Sequence, residues 1–229
     1  MRIRWFGQSA FLLRGAERSV LIDPFGAMGE ALAARGMEFR HAPVEGVECD
    51  LVLVTHEHGD HNHVAAAVGE PAAIRSAAGR FDSPVGEVVA VASEHDAAAG
   101  TQRGPNTIFR FLLDDLAVCH LGDFGQPALR PEQRDALGEV DVLFVPAGGG
   151  PTIGGEPAAA LVRELTPRLV VPMHYGNEAV SFLEPPDAFL EALAARVERL
   201  DGSEAEAEPL LGTRADPVVA LLAPPVTPS

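Results

Sequence analysis

The chain has 229 residues, enough to bury a sizeable core, and its 47% hydrophobic and 22% charged residues are those of a folded globular protein, which sets aside disordered and fibrous classes. Its formal net charge of -16 disfavours nucleic acid and anionic membrane as partners, because both are bound chiefly through basic surface. A small anionic substrate stays open, since divalent ions would reverse the field inside a pocket.

Residues 2–6, 9–14 and 19–23 read as three short strands of an antiparallel meander, separated by Gly7 and by a polar turn at Gly15 to Arg18. The next strand, LVLVT at 51–55, is continuously β-branched and aliphatic, as expected of a strand buried on both faces, and it ends directly at His56. Further strands are expected at 86–92, 106–112 and 116–121, followed by VDVLFVP at 140–146, and these read as a second sheet. Helices are expected at 28–35, 131–138, 156–165 and 186–197; in the third, Ala159, Leu161, Val162 and Leu165 recur at helical spacing. A buried strand, LVVPM at 169–173, follows that helix. The acidic stretch 202–209 reads as a linker, PVVALL at 217–222 as a strand returning to a sheet edge, and 224–229 as a loose tail.

A meander followed by strands alternating with helices implies an α/β fold of two sheets with helices on the outer faces, a four-layer αββα sandwich, read as one domain over 1–229. The two cysteines, Cys49 and Cys119, form no disulfide framework. No apolar run reaches the roughly 18 residues of a bilayer span. Gly7, Gln8 and Ser9 interrupt the opening apolar run before it resembles a secretory segment, so the expected compartment is the cytoplasm.

The chemistry concentrates in THEHGDH, residues 55–61, where four metal-capable side chains fall within six positions immediately after a buried strand. A loop leaving a strand can turn His56 and His58 toward one ion and Asp60 and His61 toward a neighbour, because extended positions two apart share a face. Three more candidates stand at strand ends: His95 after VVAVA, Asp123 after LAVCHL and His174 after LVVPM. Imidazole and carboxylate suit zinc, with manganese and iron as alternatives. A lone histidine carries little weight, but this set in this order carries much.

The HxHxDH motif and the later His, Asp and His resemble the metallo-β-lactamase superfamily. The opening IRWFGQSAFLL, LIDP at 21–24, GTQRGPN at 100–106 and VPMHYG at 172–176 resemble its ascorbate-6-phosphate-lactonase-like branch. The resemblance implies a first metal on His56, His58 and His95, a second on Asp60, His61 and His174, and Asp123 between them. It further implies hydrolysis of a small ester, lactone or phosphoester by a shared water or hydroxide, whose pKa zinc lowers to about 7. Asp60, Asp123 and His174 are then the candidate catalytic residues.

Other residues carry two readings each. Asp23 either accepts a hydrogen bond from a ligating imidazole or caps the turn before Pro24. Arg103 and Asn106 either reach an anionic substrate or hold a Gly-rich loop, and Tyr175 is a candidate substrate contact or proton donor. His120 reads as a packed strand residue or as a partner supporting a ligand from behind, His63 as the start of a helix and His41 as surface. GGGPTIGG, 148–155, lacks the Lys and Ser or Thr of a nucleotide loop and reads as a flexible rim.

Competing functions are a di-iron redox protein on the same fold, a metal-free binding module, a β-lactamase and an RNA-processing nuclease. Histidine at position 58, where flavodiiron proteins place a glutamate, argues against the first, and the intact ligand set against the second. Asp60 in place of a cysteine and the compact acidic chain argue against the last two. The apolar content leaves a homo-oligomer open.

Overall fold

The computed structural model of the chain describes residues 1–225, so most of the tail expected at 224–229 lies outside the described residues. Its strands are β1 (Arg2–Gly7), β2 (Ala10–Arg14), β3 (Ser19–Ile22), β4 (Val47–Glu48), β5 (Leu51–Val54), β6 (Ala67–Val68), β7 (Ala72–Arg75), β8 (Gly79–Ser83), β9 (Gly86–Glu94), β10 (Pro105–Leu113), β11 (Leu116–His120), β12 (Val142–Pro146), β13 (Leu169–Met173), β14 (Arg196–Arg199), β15 (Glu204–Glu206) and β16 (Val218–Leu221). The helices are α1 (Gly29–Ala33), α2 (Pro131–Leu137), α3 (Gly155–Leu165) and α4 (Asp187–Leu193).

Two large sheets face one another. The first has six strands in the order β15-β1-β2-β3-β5-β7, the second eight in the order β14-β16-β13-β12-β11-β10-β9-β8, and β4 and β6 form a separate pair. The first three strands are the expected antiparallel meander, after which β3 and β5 pair in parallel.

Strand alternation decides which face each side chain enters. Phe11, Leu13, Val20, Ile22, Leu51 and Leu53 point into the main core between the sheets, where they meet Phe109, Phe111, Val118 and Phe144. Their neighbours Leu12, Leu21, Val52 and Val54 point outward into a second cluster with Phe25, Phe39, Val44 and Val180. That double burial is why β5 tolerates no polar residue along its length.

Helices α2, α3 and α4 cover the outside of the second sheet, α2 against β9 and α3 against β12 and α4. The covering of the first sheet is thinner. There α1 has no buried residue, and only Met28 and Leu32 of its neighbourhood pack on the second cluster.

Three expectations need correction. The helix expected at 186–197 stops at Leu193, because Ala194 turns left-handed (φ 53°) and Arg196–Arg199 becomes strand β14, paired with β16. The acidic stretch 202–209 is not a linker: Glu204, Ala205 and Glu206 pair with Arg4, Ile3 and Arg2 of β1, with ion pairs from Arg2 and Arg4. The strand expected at 217–222 lies inside the second sheet, between β13 and β14, because β14 takes the edge.

Candidate metal centre

The parallel pairing of β3 with β5 sets Asp23 beside Thr55. Asp23 leaves β3 with a left-handed backbone (φ 47°), and its carboxylate accepts the Thr55 amide at 2.8 Å and the Thr55 hydroxyl at 2.7 Å. This ties down the point where β5 ends and the loop of His56, His58, Asp60 and His61 begins. The other three ligand candidates come from the second sheet. Because β9 and β11 both run antiparallel to β10, and β11, β12 and β13 are mutually parallel, the C-terminal ends of β9, β11 and β13 share one rim. His95, Asp123 and His174 follow those ends and face the loop from β5.

The side chains converge in three overlapping groups: His56, His58 and His95; His56, His61 and Asp123; and Asp60, His61 and His174. Within each group one nitrogen or oxygen per residue lies within 4.8 Å of the others. Asp123 sits between them. Its Oδ2 lies 3.1 Å from His95 Nε2 and 3.3 Å from both His61 Nε2 and His174 Nε2.

Five of the seven candidates are held by a contact outside the set. His61 Nδ1 lies 3.0 Å from Asp23 Oδ2, His56 Nδ1 3.0 Å from Thr55 Oγ1, and His95 Nδ1 3.1 Å from the Pro151 carbonyl. Thr55 donates its hydroxyl proton to Asp23, so its oxygen is free to accept from His56. Asp123 accepts the Ser9 hydroxyl on Oδ1 at 3.2 Å, while its amide donates to Asn106 Oδ1 at 3.0 Å. His174 has a left-handed backbone (φ 50°) and donates its amide to the Gln8 carbonyl at 3.2 Å. These contacts occupy the outward nitrogens and leave Nε2 of His56, His61 and His95 facing inward, the usual arrangement of histidines that bind a metal.

The donor set fits divalent metal. Five imidazoles and two carboxylates match zinc, manganese or iron. The inward Nε2 of His61 is buried with no hydrogen-bond partner, 3.3 Å from Asp123 Oδ2 and 3.5 Å from Asp60 Oδ2, a grouping that a cation would satisfy.

The electrostatics agree. Burial pushes His56 down to about 2, helped by the His61 charge, and burial also lowers His58 and His174. Burial opposes ionisation of Asp123 and Asp60, yet the facing histidines outweigh it and hold both carboxyls below the usual range. Burial likewise opposes protonation of His61, but Asp123, Asp60 and Asp23 together raise it. The site is thus built around negative charge awaiting positive charge.

Beside the centre lies a cavity of about 700 Å³, lined on the ligand side by His58, Asp60, His95, Asp123 and His174. Arg103 lines it too, and the loop it stands on is held by Asp96 rather than by its own guanidinium.

The other two suggested substrate contacts are placed differently. Asn106 is buried, with its amide nitrogen on Ser93 Oγ and the Leu121 carbonyl and its oxygen on the Asp123 amide. Tyr175 is packed against Trp5, and its hydroxyl donates to the Leu222 carbonyl at 3.3 Å.

His120 is the packed strand residue expected, with Nε2 on the Ser9 carbonyl and Nδ1 accepting the Gly122 amide. His63 precedes a turn of helix at Val64–Ala66. His41, read as surface, is 5% exposed and enclosed by Trp5, Phe25 and Phe39, because Gly7 leaves room for its ring. The glycine run 148–155 is pinned rather than free: Gly149 and Ile153 exchange a backbone bond, and Ile153 donates to the Phe124 carbonyl. Ser9, Thr55 and the Pro151 carbonyl are site residues that sequence reasoning missed.

Comparison with known proteins gives the family. Residues 2–174 match the model of a beta-lactamase superfamily domain. A UPF0173 metal-dependent hydrolase from Thermococcus kodakarensis is 31% identical over 90% of this chain and 94% of its own, and one from Methylobacterium nodulans is 34% identical over 84% and 92%. A Thermotoga maritima structure, assigned as a Zn-dependent hydrolase of the metallo-beta-lactamase superfamily, superposes with a TM-score of 0.75 at 29% identity, covering 96% of this chain and 97% of that one. The chain therefore belongs to the metallo-β-lactamase superfamily, and within it to the UPF0173 metal-dependent hydrolases. Among the described residues no helix is long and apolar enough to cross a membrane.

Proposed function

We propose that the protein is a binuclear zinc hydrolase of small esters, lactones or phosphoesters. The observation that carries this reading is the place of Asp123, one carboxylate oxygen in reach of His95 on one side and of His61 and His174 on the other. His56, His58 and His95 would hold the first ion, Asp60, His61 and His174 the second, with Asp123 between. Bound ions would supply a water of pKa about 7 and polarise the substrate oxygen under attack.

The chain's own groups position and exclude. Asp60, with a quarter of its side chain exposed toward the cavity, orients the attacking water through its free oxygen. Hydrolysis delivers the water oxygen to the acyl carbon or phosphorus and a proton to the departing oxygen. That proton comes from water or from the substrate, since the Tyr175 hydroxyl is engaged with Leu222. The sequence phrases FGQSAF, LIDP, GTQRGPN and VPMHYG support the lactonase-like branch, and the reading takes the chain as one cytoplasmic domain acting on a small molecule.

Elemental analysis of the purified protein, with a hydrolysis screen of lactones, esters and phosphodiesters before and after chelation, tests it. About two metals per chain and chelator-sensitive turnover are expected, with zinc distinguished from manganese and iron in the same measurement. A chain that takes up no metal when zinc, manganese or iron is supplied overturns it.

A further inference from the structure

We propose that the cavity selects an amphiphilic acid: an ester or lactone carrying one anionic group, held by Arg35 and Arg103, and one apolar group, held by Met28, Leu32, Met37 and Phe182. The proposal rests on the hydrolase reading and names the substrate class for it.

The anion-binding half follows from which arginines lack partners. The chain has 33 acidic residues for its 17 arginines, and most of its guanidinium groups are taken: Arg75 by Glu57, Arg130 by Glu94, Arg163 by Glu156, Arg214 by Asp141. Arg35 and Arg103 have neither an ion pair nor a side-chain hydrogen bond among the described residues, and both line the cavity. They arrive from separate segments, Arg35 just after α1 and Arg103 from the loop that follows His95.

That second loop is preorganised. The Asp96 carboxylate accepts the backbone amides of Ala98, Gly100, Gln102 and Arg103 at 2.7 to 3.0 Å, and the Gly104 carbonyl accepts the His95 amide. Arg103 is thereby fixed relative to a ligand of the centre. A guanidinium held in the open offers a fork matched to carboxylate or phosphate, with no internal partner to displace.

Among the described residues the carboxylates lining the cavity are Asp60 and Asp123, both assigned to the ions. The local field therefore favours an anion although the whole chain is strongly acidic. Opposite in character, Met28, Leu32, Met37 and Phe182 are half-buried and line the same space. Two thioethers among them give a wall that adapts to different apolar shapes. A cavity of about 700 Å³ is within the usual range for an organic ligand and exceeds what one acyl bond needs.

The test uses the zinc-loaded full chain and aryl esters of matched length: neutral alkanoates, half-esters of dicarboxylic acids, and esters ending in a phosphate. Anionic esters are expected to show at least a tenfold higher kcat/KM than neutral ones of equal length, and whichever of carboxylate or phosphate is preferred names the anion. In Arg35→Gln and in Arg103→Gln that ratio should fall toward one, through KM. Arg199→Gln, a control that does not line the cavity, should keep it. Met37→Ser should reduce the gain from lengthening the apolar part.

Calorimetry with the non-hydrolysable half-amides supplies a second readout, with binding weakened about tenfold in both arginine variants. Turnover of esters with a ratio near one, unaltered by either substitution, overturns the inference and leaves the hydrolase standing. Absence of any chelator-sensitive turnover overturns the hydrolase, whereas half-amide binding that still needs both arginines would retain the recognition. Loss of both readouts overturns both.

Discussion

Asp23 Oδ2 lies 3.0 Å from His61 Nδ1, and the same carboxylate holds the Thr55 hydroxyl that faces His56. One buried acid outside the ligand set thus aims a histidine of each proposed ion. Asp23→Asn should weaken the binding of both ions by about 10- to 100-fold. Thr55→Val should act mainly on the ion that shares His56. Competition with a chromogenic chelator separates the two, and affinities equal to those of the parent would show that Asp23 serves the turn alone.

Ser9 acts from the first sheet on a ligand of the second. Its hydroxyl is the donor to Asp123 Oδ1, in a place where both residues are buried. Ser9→Ala leaves that oxygen without its partner, which should cost about 1–2 kcal/mol. Denaturant unfolding measures the cost, and elemental analysis should show reduced retention of both metals. A loss confined to one metal would argue that Asp123 belongs to a single ion.

Two glycines with nearly the same backbone angle should respond differently to alanine. Gly122 (φ +58°) would bring a methyl group 2.4 Å from Asn106 Oδ1 and 2.8 Å from Thr55 Cβ, whereas Gly138 (φ +57°) has nothing within 4 Å. Gly138→Ala meets no neighbouring atom and carries only the backbone strain of holding φ 57° with ψ -140°, about 1–3 kcal/mol. Gly122→Ala must also displace the residues that position Asp123, and should cost roughly 3 kcal/mol or more. Equal melting temperatures for the two variants would contradict the packing described around Asp123.

His41 sets an acid limit on stability. Burial lowers it from 6.5 to about 4, and neither ring nitrogen has a hydrogen-bond partner. The unfolded chain therefore takes up this proton before the folded one does. Its contribution is flat above pH 6.5, falls as pH drops toward 4, and levels off below, for a total of about 3 kcal/mol. His41→Leu should remove that portion of the pH dependence, as read from unfolding free energies at pH 7.5 and 4.5. An identical slope in parent and variant would mean that the ring is hydrated.

Much of this was legible because the ligands follow aliphatic strands, and burial on both faces makes such strands plain in composition. LVLVT and LVVPM announce where His56 and His174 must emerge. What escaped was carried by main-chain groups or by tertiary pairing. The Pro151 carbonyl that aims His95 has no residue signature, and Ser9 is an ordinary serine until the two sheets meet. EALAARV reads as the end of one helix from propensity, yet pairing with β16 draws Arg196–Arg199 into a strand. Asn106 and Tyr175 were drawn toward the site by their neighbours in sequence, and the fold turned both inward to brace it.

Because the loop after β5 belongs to one sheet and His95, Asp123 and His174 to the other, ions bound there would rivet the two halves of the molecule together. No piece of chain ending before residue 174 can assemble the full ligand set. During synthesis, then, both sheets would have to be in place before a metal could reach its final coordination there. A metal held by that set would then be the last part fitted.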